Sequence, residues 1–151
     1  MAEVRQSLDQ AKRLTGAGAM DATTAWRIDW RFAVKPATNG CGLGAFTTKT
    51  TITPTLPFWK PVATVTARDR QAWEFFFTAL AQHEAGHARN ALVAAAEIQR
   101  RCREIGRDPD CNSLKARINS LAGSIIQDHR KRDAEYDRRT AHGARPASLS
   151  P

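Results

Sequence analysis

The sequence predicts an α+β fold with a short N-terminal helix, a small antiparallel sheet and then two long helices. The sheet is predicted by strict alternation of apolar and polar residues from Thr24 to Val34, and by a threonine-rich stretch after it that also alternates. The helices are predicted by apolar residues that recur at helical spacing over two long stretches without an internal proline. We place these elements in one domain, residues 1–143, followed by a flexible C-terminal tail at 144–151.

The first elements follow from the spacing of apolar residues and from turn signals. From Ala2 to Leu14 the apolar residues have loose helical spacing, and Gly16-Ala17-Gly18 ends that helix. Asn39-Gly40 favours a hairpin turn, so a second strand between Cys41 and Trp59 is expected to pair with the first strand.

The limits of the two long helices follow from their capping signals. Thr66 and Asp69 have the spacing of a capping box, so the first long helix is expected to begin there and to continue to about Ile105. The stretch 106–110 contains glycine and proline and ends this helix. Asn112 or Ser113 is then expected to cap the second helix, which ends near residue 140.

Inside the first long helix lies His83-Glu84-Ala85-Gly86-His87, an H-E-x-x-H motif. Its four-residue spacing puts both histidines on one helix face, where two neutral rings can bind one metal ion. Glu84 is placed to take a proton from water that the metal activates. The alternative is a solvated helix that happens to carry these residues, but burying them in an apolar stripe without a partner is costly. The motif therefore predicts a Zn²⁺ site with Glu84 as its general base.

Composition sets the class of protein. Hydrophobic residues make up 42% of the chain and charged residues 25%, which is ordinary for a globular domain. The formal net charge of +8 allows nucleic acid as a partner, but much of this charge lies at 100–107 and 130–139, mixed with acids on predicted helices. No apolar stretch has the length of a membrane span, and none near the first residues predicts a signal peptide, which leaves a cytoplasmic location open as an alternative.

Motifs spread along the chain together resemble those of one bacterial family. They are the H-E-x-G-H helix, the strand motif Thr24-x-Trp26-x-x-x-Trp30, Gly40-Cys41, Cys111, and Tyr136-Asp137-Arg-Arg-Thr140-Ala-His142-Gly143. The family is catalogued as a domain of unknown function and described as predicted secreted zinc-dependent proteases. The resemblance implies a zincin-like metallopeptidase, secreted or periplasmic, in which His83 and His87 bind zinc and Glu84 is the catalytic acid–base.

The cysteines Cys41, Cys102 and Cys111 include no C-x-x-C pair, which argues against a zinc knuckle. Their odd number fits one disulfide with a free thiol, and it fits three reduced thiols equally well. The family resemblance implies a disulfide between Cys41 and Cys111, with Cys102 left over, whereas the simplest alternative is a Cys102–Cys111 bridge across the helix turn.

A catalytic zinc ion usually takes three protein ligands, so the two histidines need a partner. The candidates on the second helix and beyond it are His129, Asp133, Asp137 and His142. A tight hairpin turning near Gly106 would place His129 and Asp133 opposite the motif. The family signature instead contains Asp137 and His142, and Gly143 suits a turn that aims the His142 ring inward. We expect His142 to be the third ligand, with Asp137 either orienting a ligand histidine or serving as the alternative ligand.

Taken together, these expectations give a zinc-dependent peptidase that acts on peptides or proteins. Tyr136, or an arginine such as Arg139, is expected to donate a hydrogen bond to the oxyanion, and an equally open alternative is that Tyr136 is a core aromatic. The alternative function is a basic, metal-binding but non-catalytic protein that binds other proteins or nucleic acid. A structural zinc site, however, closes with four protein ligands and has no use for Glu84.

Overall fold

The structure is a computed structural model that describes residues 22–59 and 63–143. In this part of the chain the elements are β1 (Thr23–Ala37), β2 (Gly40–Thr55), α1 (Ala67–Ile105), β3 (Arg107–Asp108) and α2 (Cys111–Thr140). The α+β class is therefore confirmed. The N-terminal helix and the C-terminal tail expected from the sequence lie outside the described residues, and a zincin-like arrangement stays a prediction.

The three strands form an antiparallel sheet in the order β1-β2-β3. Alternate residues of β1 and β2 are partly or fully buried, as the sequence pattern predicts, and Ile28, Cys41 and Phe46 are the most enclosed. The turn at 38–39 leads into Gly40, whose φ of 122° favours glycine. A Cβ added at this position would overlap the main-chain oxygen of Asp108. Glycine at this position therefore allows β3 to pair with β2 through Cys41 and Asp108.

Capping side chains set the helix limits. Thr66 and Asp69 form the expected capping box, because the Asp69 main-chain N–H donates to Thr66 Oγ1 at 3.2 Å and the Thr66 N–H donates to Asp69 Oδ2 at 3.1 Å. For α2 the expectation of Asn112 or Ser113 as the cap is wrong. Asp110 caps this helix, since its carboxylate accepts the N–H of Ser113 at 2.7 Å.

The chain groups into two compact units. In the first unit, described residues 22–25, 53–59, 63–87 and 135–143, Phe76 and Leu80 pack with Trp73. In the second unit, residues 26–52 and 88–134, the aliphatic stripe of α2 packs against α1 and the sheet, with Ile98, Leu114 and Ile118 fully buried. Among the described residues, neither helix has an apolar stretch long enough to cross a membrane.

A disulfide joins Cys41 to Cys111 in the second unit, which confirms the pairing implied by the family resemblance. The bridge spans 70 positions of sequence. It lowers the conformational entropy of the unfolded chain and so stabilises the fold by about 4 kcal/mol. Cys102 is a buried free thiol, and burial raises its pKa above the ordinary value. Because its pKa is raised, the Cys102 thiol stays protonated and weakly reactive at neutral pH, as expected of a core residue.

Asp108 gives the fold a defined acid sensitivity. Arg117 donates to the buried Asp108 carboxylate at 2.6 Å, and this hydrogen bond holds the pKa of Asp108 below its ordinary value. Because the folded-state pKa is the lower one, ionised Asp108 stabilises the fold above the unfolded value of about 3.9, and the contribution is lost as the pH falls through the folded pKa. We expect Arg117→Gln to be less stable than wild type at neutral pH, with a difference that shrinks on acidification below about pH 4.

Urea unfolding at a series of pH values measures this difference. Arg100→Gln is the matched control, because its exposed pair with Glu104 contributes little to stability. A destabilisation by Arg117→Gln that stays constant down to about pH 2 would contradict the prediction.

Candidate metal centre

Three side chains of the first unit converge on one point. His83 and His87 leave the same face of α1, and Asp137 extends from α2 towards them. His83 Nε2 lies 3.0 Å and His87 Nε2 2.9 Å from Asp137 Oδ1, and the two Nε2 atoms are 3.2 Å apart. Both histidines are buried, whereas the Asp137 side chain is 29% exposed. This group could hold a metal ion.

Thr140 determines which nitrogen of His83 carries the proton. The Thr140 hydroxyl donates to the main-chain oxygen of Tyr136 at 2.7 Å, so at 3.1 Å from His83 Nδ1 it must accept a hydrogen bond. The proton of His83 is therefore assigned to Nδ1. The lone pair of Nε2 then faces Asp137 and His87, which is the tautomer that a metal ion requires.

The electronic character of this group fits a cation. An unprotonated Nε2 and a carboxylate oxygen repel each other at 3.0 Å unless a proton or a metal ion lies near both. A second proton on His83 is disfavoured, because burial and then the neighbouring His87 lower the pKa of His83 below its ordinary value. Two imidazoles and one carboxylate therefore present electron pairs that a divalent transition metal would satisfy.

The ring of Tyr136 fixes the planes of both imidazoles. It stacks on His83 with centroids 4.8 Å apart and planes at 6°, and it meets the edge of His87 at 5.2 Å. A Cβ on Gly86 would lie 2.5 Å from the Tyr136 hydroxyl, so glycine inside the motif makes room for this ring. These contacts support a packing role for Tyr136, and its role as an oxyanion donor stays a prediction, as does that of Arg139.

After α2 the chain turns sharply back towards the site. The His142 N–H donates to the Asp137 main-chain oxygen at 3.1 Å, and residues 141–143 all have positive φ. Gly143 then lies against His83, because a Cβ there would be 3.1 Å from His83 Cβ. The expected turn at Gly143 is thus present, but the His142 side chain is 82% exposed, with Nδ1 3.8 Å from Asp137 Oδ1. His142 as third ligand stays a prediction, whereas Asp137 lies in the group.

Glu84 is not part of this group, and its side chain is bound by a residue of β1. Its side chain is buried, and Thr24 Oγ1 donates to Glu84 Oε2 at 2.6 Å. No role was predicted from the sequence for Thr24, Thr140 or Gly86. The available signal was their membership of the motifs that carry the family resemblance.

A family model described as "Bacterial protein of unknown function (DUF922)" matches residues 1–143. The chain belongs to this family. No curated protein and no solved structure matches the chain. The DUF922 description names no activity, so peptide hydrolysis remains a proposal that depends on the geometry of the site.

In this DUF922 chain His129 and Asp133 belong to a hydrogen-bond network of the second unit. His129 Nδ1 lies 2.6 Å from Asn90 Oδ1, and Asn90 Nδ2 donates to Asp133 Oδ1 at 2.8 Å. A hairpin centred on Gly106 would instead place Asn90 opposite Ala122. The tight hairpin expected near Gly106 is therefore wrong, because the link between the helices contains β3.

We expect the Thr140 hydroxyl to matter for metal binding rather than for folding. Thr140→Val keeps the shape of the side chain but removes the acceptor for His83 Nδ1–H, so zinc affinity should fall about 10- to 100-fold. Thr140→Ser keeps the hydroxyl and should bind zinc almost as wild type does. Competition with a chromophoric chelator measures both affinities, and equal affinities for Thr140→Val and wild type would show that the hydroxyl does not orient the ring.

Proposed function

We propose that the protein is a zinc-dependent metallopeptidase. His83, His87 and Asp137 would hold the ion, and Glu84 would be the general base. The observation that carries the proposal is the convergence of two imidazole nitrogens and one carboxylate oxygen within 3.2 Å, beside a buried glutamate that is not part of the group.

The donor set favours zinc over the other abundant divalent ions. Magnesium and calcium prefer oxygen ligands, and two buried imidazoles are poor partners for either ion. Zinc accepts nitrogen and oxygen ligands, and its catalytic sites combine three protein ligands with an open position. The partial exposure of Asp137 supports an open side through which a substrate reaches the ion.

The chain's own residues would supply the proton transfers. When bound, zinc supplies a Lewis acid that polarises the scissile carbonyl and lowers the pKa of water to about 7. Glu84 would take the proton from the attacking water and deliver it to the leaving amine, so that one water yields one carboxyl group and one amine. Thr24 holds the Glu84 carboxylate, and this supports a base that is positioned by the protein rather than by the ion.

Two features argue for catalysis over a structural metal site. A structural zinc site closes with four protein ligands, often cysteines, and here Cys41 and Cys111 form a disulfide while Cys102 is buried in the second unit. The buried Glu84 would also be a costly residue in a purely structural site. The disulfide further supports the oxidising, secreted or periplasmic location that the family resemblance implies.

Zinc content and cleavage together test the proposed function. The purified protein should bind one zinc ion and cleave an unfolded protein such as casein, and a chelator should abolish the cleavage. Glu84→Gln should keep its zinc, because Glu84 is not a ligand, but lose about two to four orders of magnitude in rate. Zinc binding without cleavage would favour the non-catalytic alternative, and an active Glu84→Gln would refute the mechanism.

A comparison of single variants identifies the third ligand. Asp137→Asn removes the charge and much of the basicity of Oδ1, so zinc affinity should fall by more than about a hundredfold, beyond the effect of losing an orienting residue. His142→Ala should change it by less than about fivefold, because this side chain lies mostly in solvent. Calorimetric zinc titration measures both constants, and the opposite ranking would establish His142 as the third ligand.

A further inference from the structure

The motif Thr24-x-Trp26 opens β1, and its first residue contacts the proposed general base. Thr24 Oγ1 lies 2.6 Å from Glu84 Oε2 and 3.3 Å from the main-chain oxygen of Glu84. Both residues belong to the first unit although 60 positions separate them in sequence. Since a hydroxyl has one proton, the shorter contact identifies Oε2 as the acceptor.

We propose that Thr24 is a positioning residue for Glu84. By holding Oε2, Thr24 directs the other carboxylate oxygen, Oε1, to exchange the proton with the attacking water. This inference rests on the proposed function, because it gives Thr24 a role in the same proton transfer.

The physical argument concerns the freedom of a glutamate side chain. A general base must come within about 2.6–3.2 Å of the proton that it removes, and a displacement of about 1 Å can lower a rate about a hundredfold. Three rotatable bonds let a glutamate carboxylate leave such a position. Thr24 is β-branched and stands on a strand, so its hydroxyl has few orientations and fixes one oxygen of the carboxylate. The distance of 2.6 Å is typical of a strong O–H···O⁻ hydrogen bond.

The alternative is that Thr24 only satisfies a buried carboxylate and stabilises the fold. Both roles explain the contact, but they predict different effects on turnover, metal binding and stability. A positioning residue changes kcat and leaves KM and zinc affinity almost constant, whereas a structural residue changes stability and zinc affinity together.

The test compares zinc-loaded Thr24→Val with Thr24→Ser and with Thr23→Val, an exposed neighbour on the same strand. Thr24→Val should lower kcat about 10- to 100-fold, while KM and zinc affinity change by less than about twofold. Thr24→Ser should recover kcat to within about threefold of wild type, and Thr23→Val should behave as wild type. In a Glu84→Gln background, Thr24→Val should cause no further loss, because Thr24 acts through Glu84.

A second readout does not need catalysis. In protein labelled with ¹³C at the glutamate carboxyl groups, the Glu84 signal is the one lost in Glu84→Gln. It should shift in Thr24→Val and return in Thr24→Ser. An active wild type with an equally active Thr24→Val, or a Thr24→Val whose zinc affinity falls with kcat, overturns this inference alone. A zinc-loaded wild type that cleaves no peptide overturns the proposed function and this inference with it.

Discussion

The first unit depends on keeping three electron-pair donors together, two of them on buried histidines and one on a partly exposed aspartate. His83 Nε2, His87 Nε2 and Asp137 Oδ1 lie within 3.2 Å of one another, an arrangement that is unfavourable unless a proton or a metal ion is shared among them. The surrounding residues hold these three side chains in place. Thr140 fixes the proton of one imidazole, and Tyr136 fixes the orientation of both rings.

Different elements hold the candidate metal ligands and the proposed base. Asp137 comes from α2 and completes the candidate ligand group, whereas Thr24 comes from the start of β1 and holds Glu84. The division has a physical advantage, because a carboxylate held by a hydroxyl keeps its position whether or not a metal ion is present. The motifs that carry the family resemblance lie far apart in sequence, at the start of β1, within α1 and at the end of α2.

Periodicity and capping patterns predicted most of the elements in the described part of the chain. The alternation in β1 and the Thr66–Asp69 capping box lie within single elements, so the sequence alone was sufficient to identify them. The missed features depend on other elements. β3 forms because residues between the helices pair with Cys41 and Gly42, and the residues of β3 alone do not predict this pairing. Because β3 lies between the helices, they do not pair as a tight hairpin at Gly106 would pair them. The sequence therefore identified both motif histidines but could not determine which acid faces them.

We propose that two imidazoles and one carboxylate bind a single zinc ion. X-ray absorption at the zinc edge tests this coordination, using protein loaded with one equivalent of zinc and freed of excess metal. We expect two imidazole nitrogens, with oxygen as the remaining ligand type, all at about 2.0–2.2 Å. A third imidazole, a sulfur ligand at about 2.3 Å, or a failure to retain one equivalent of zinc would contradict it.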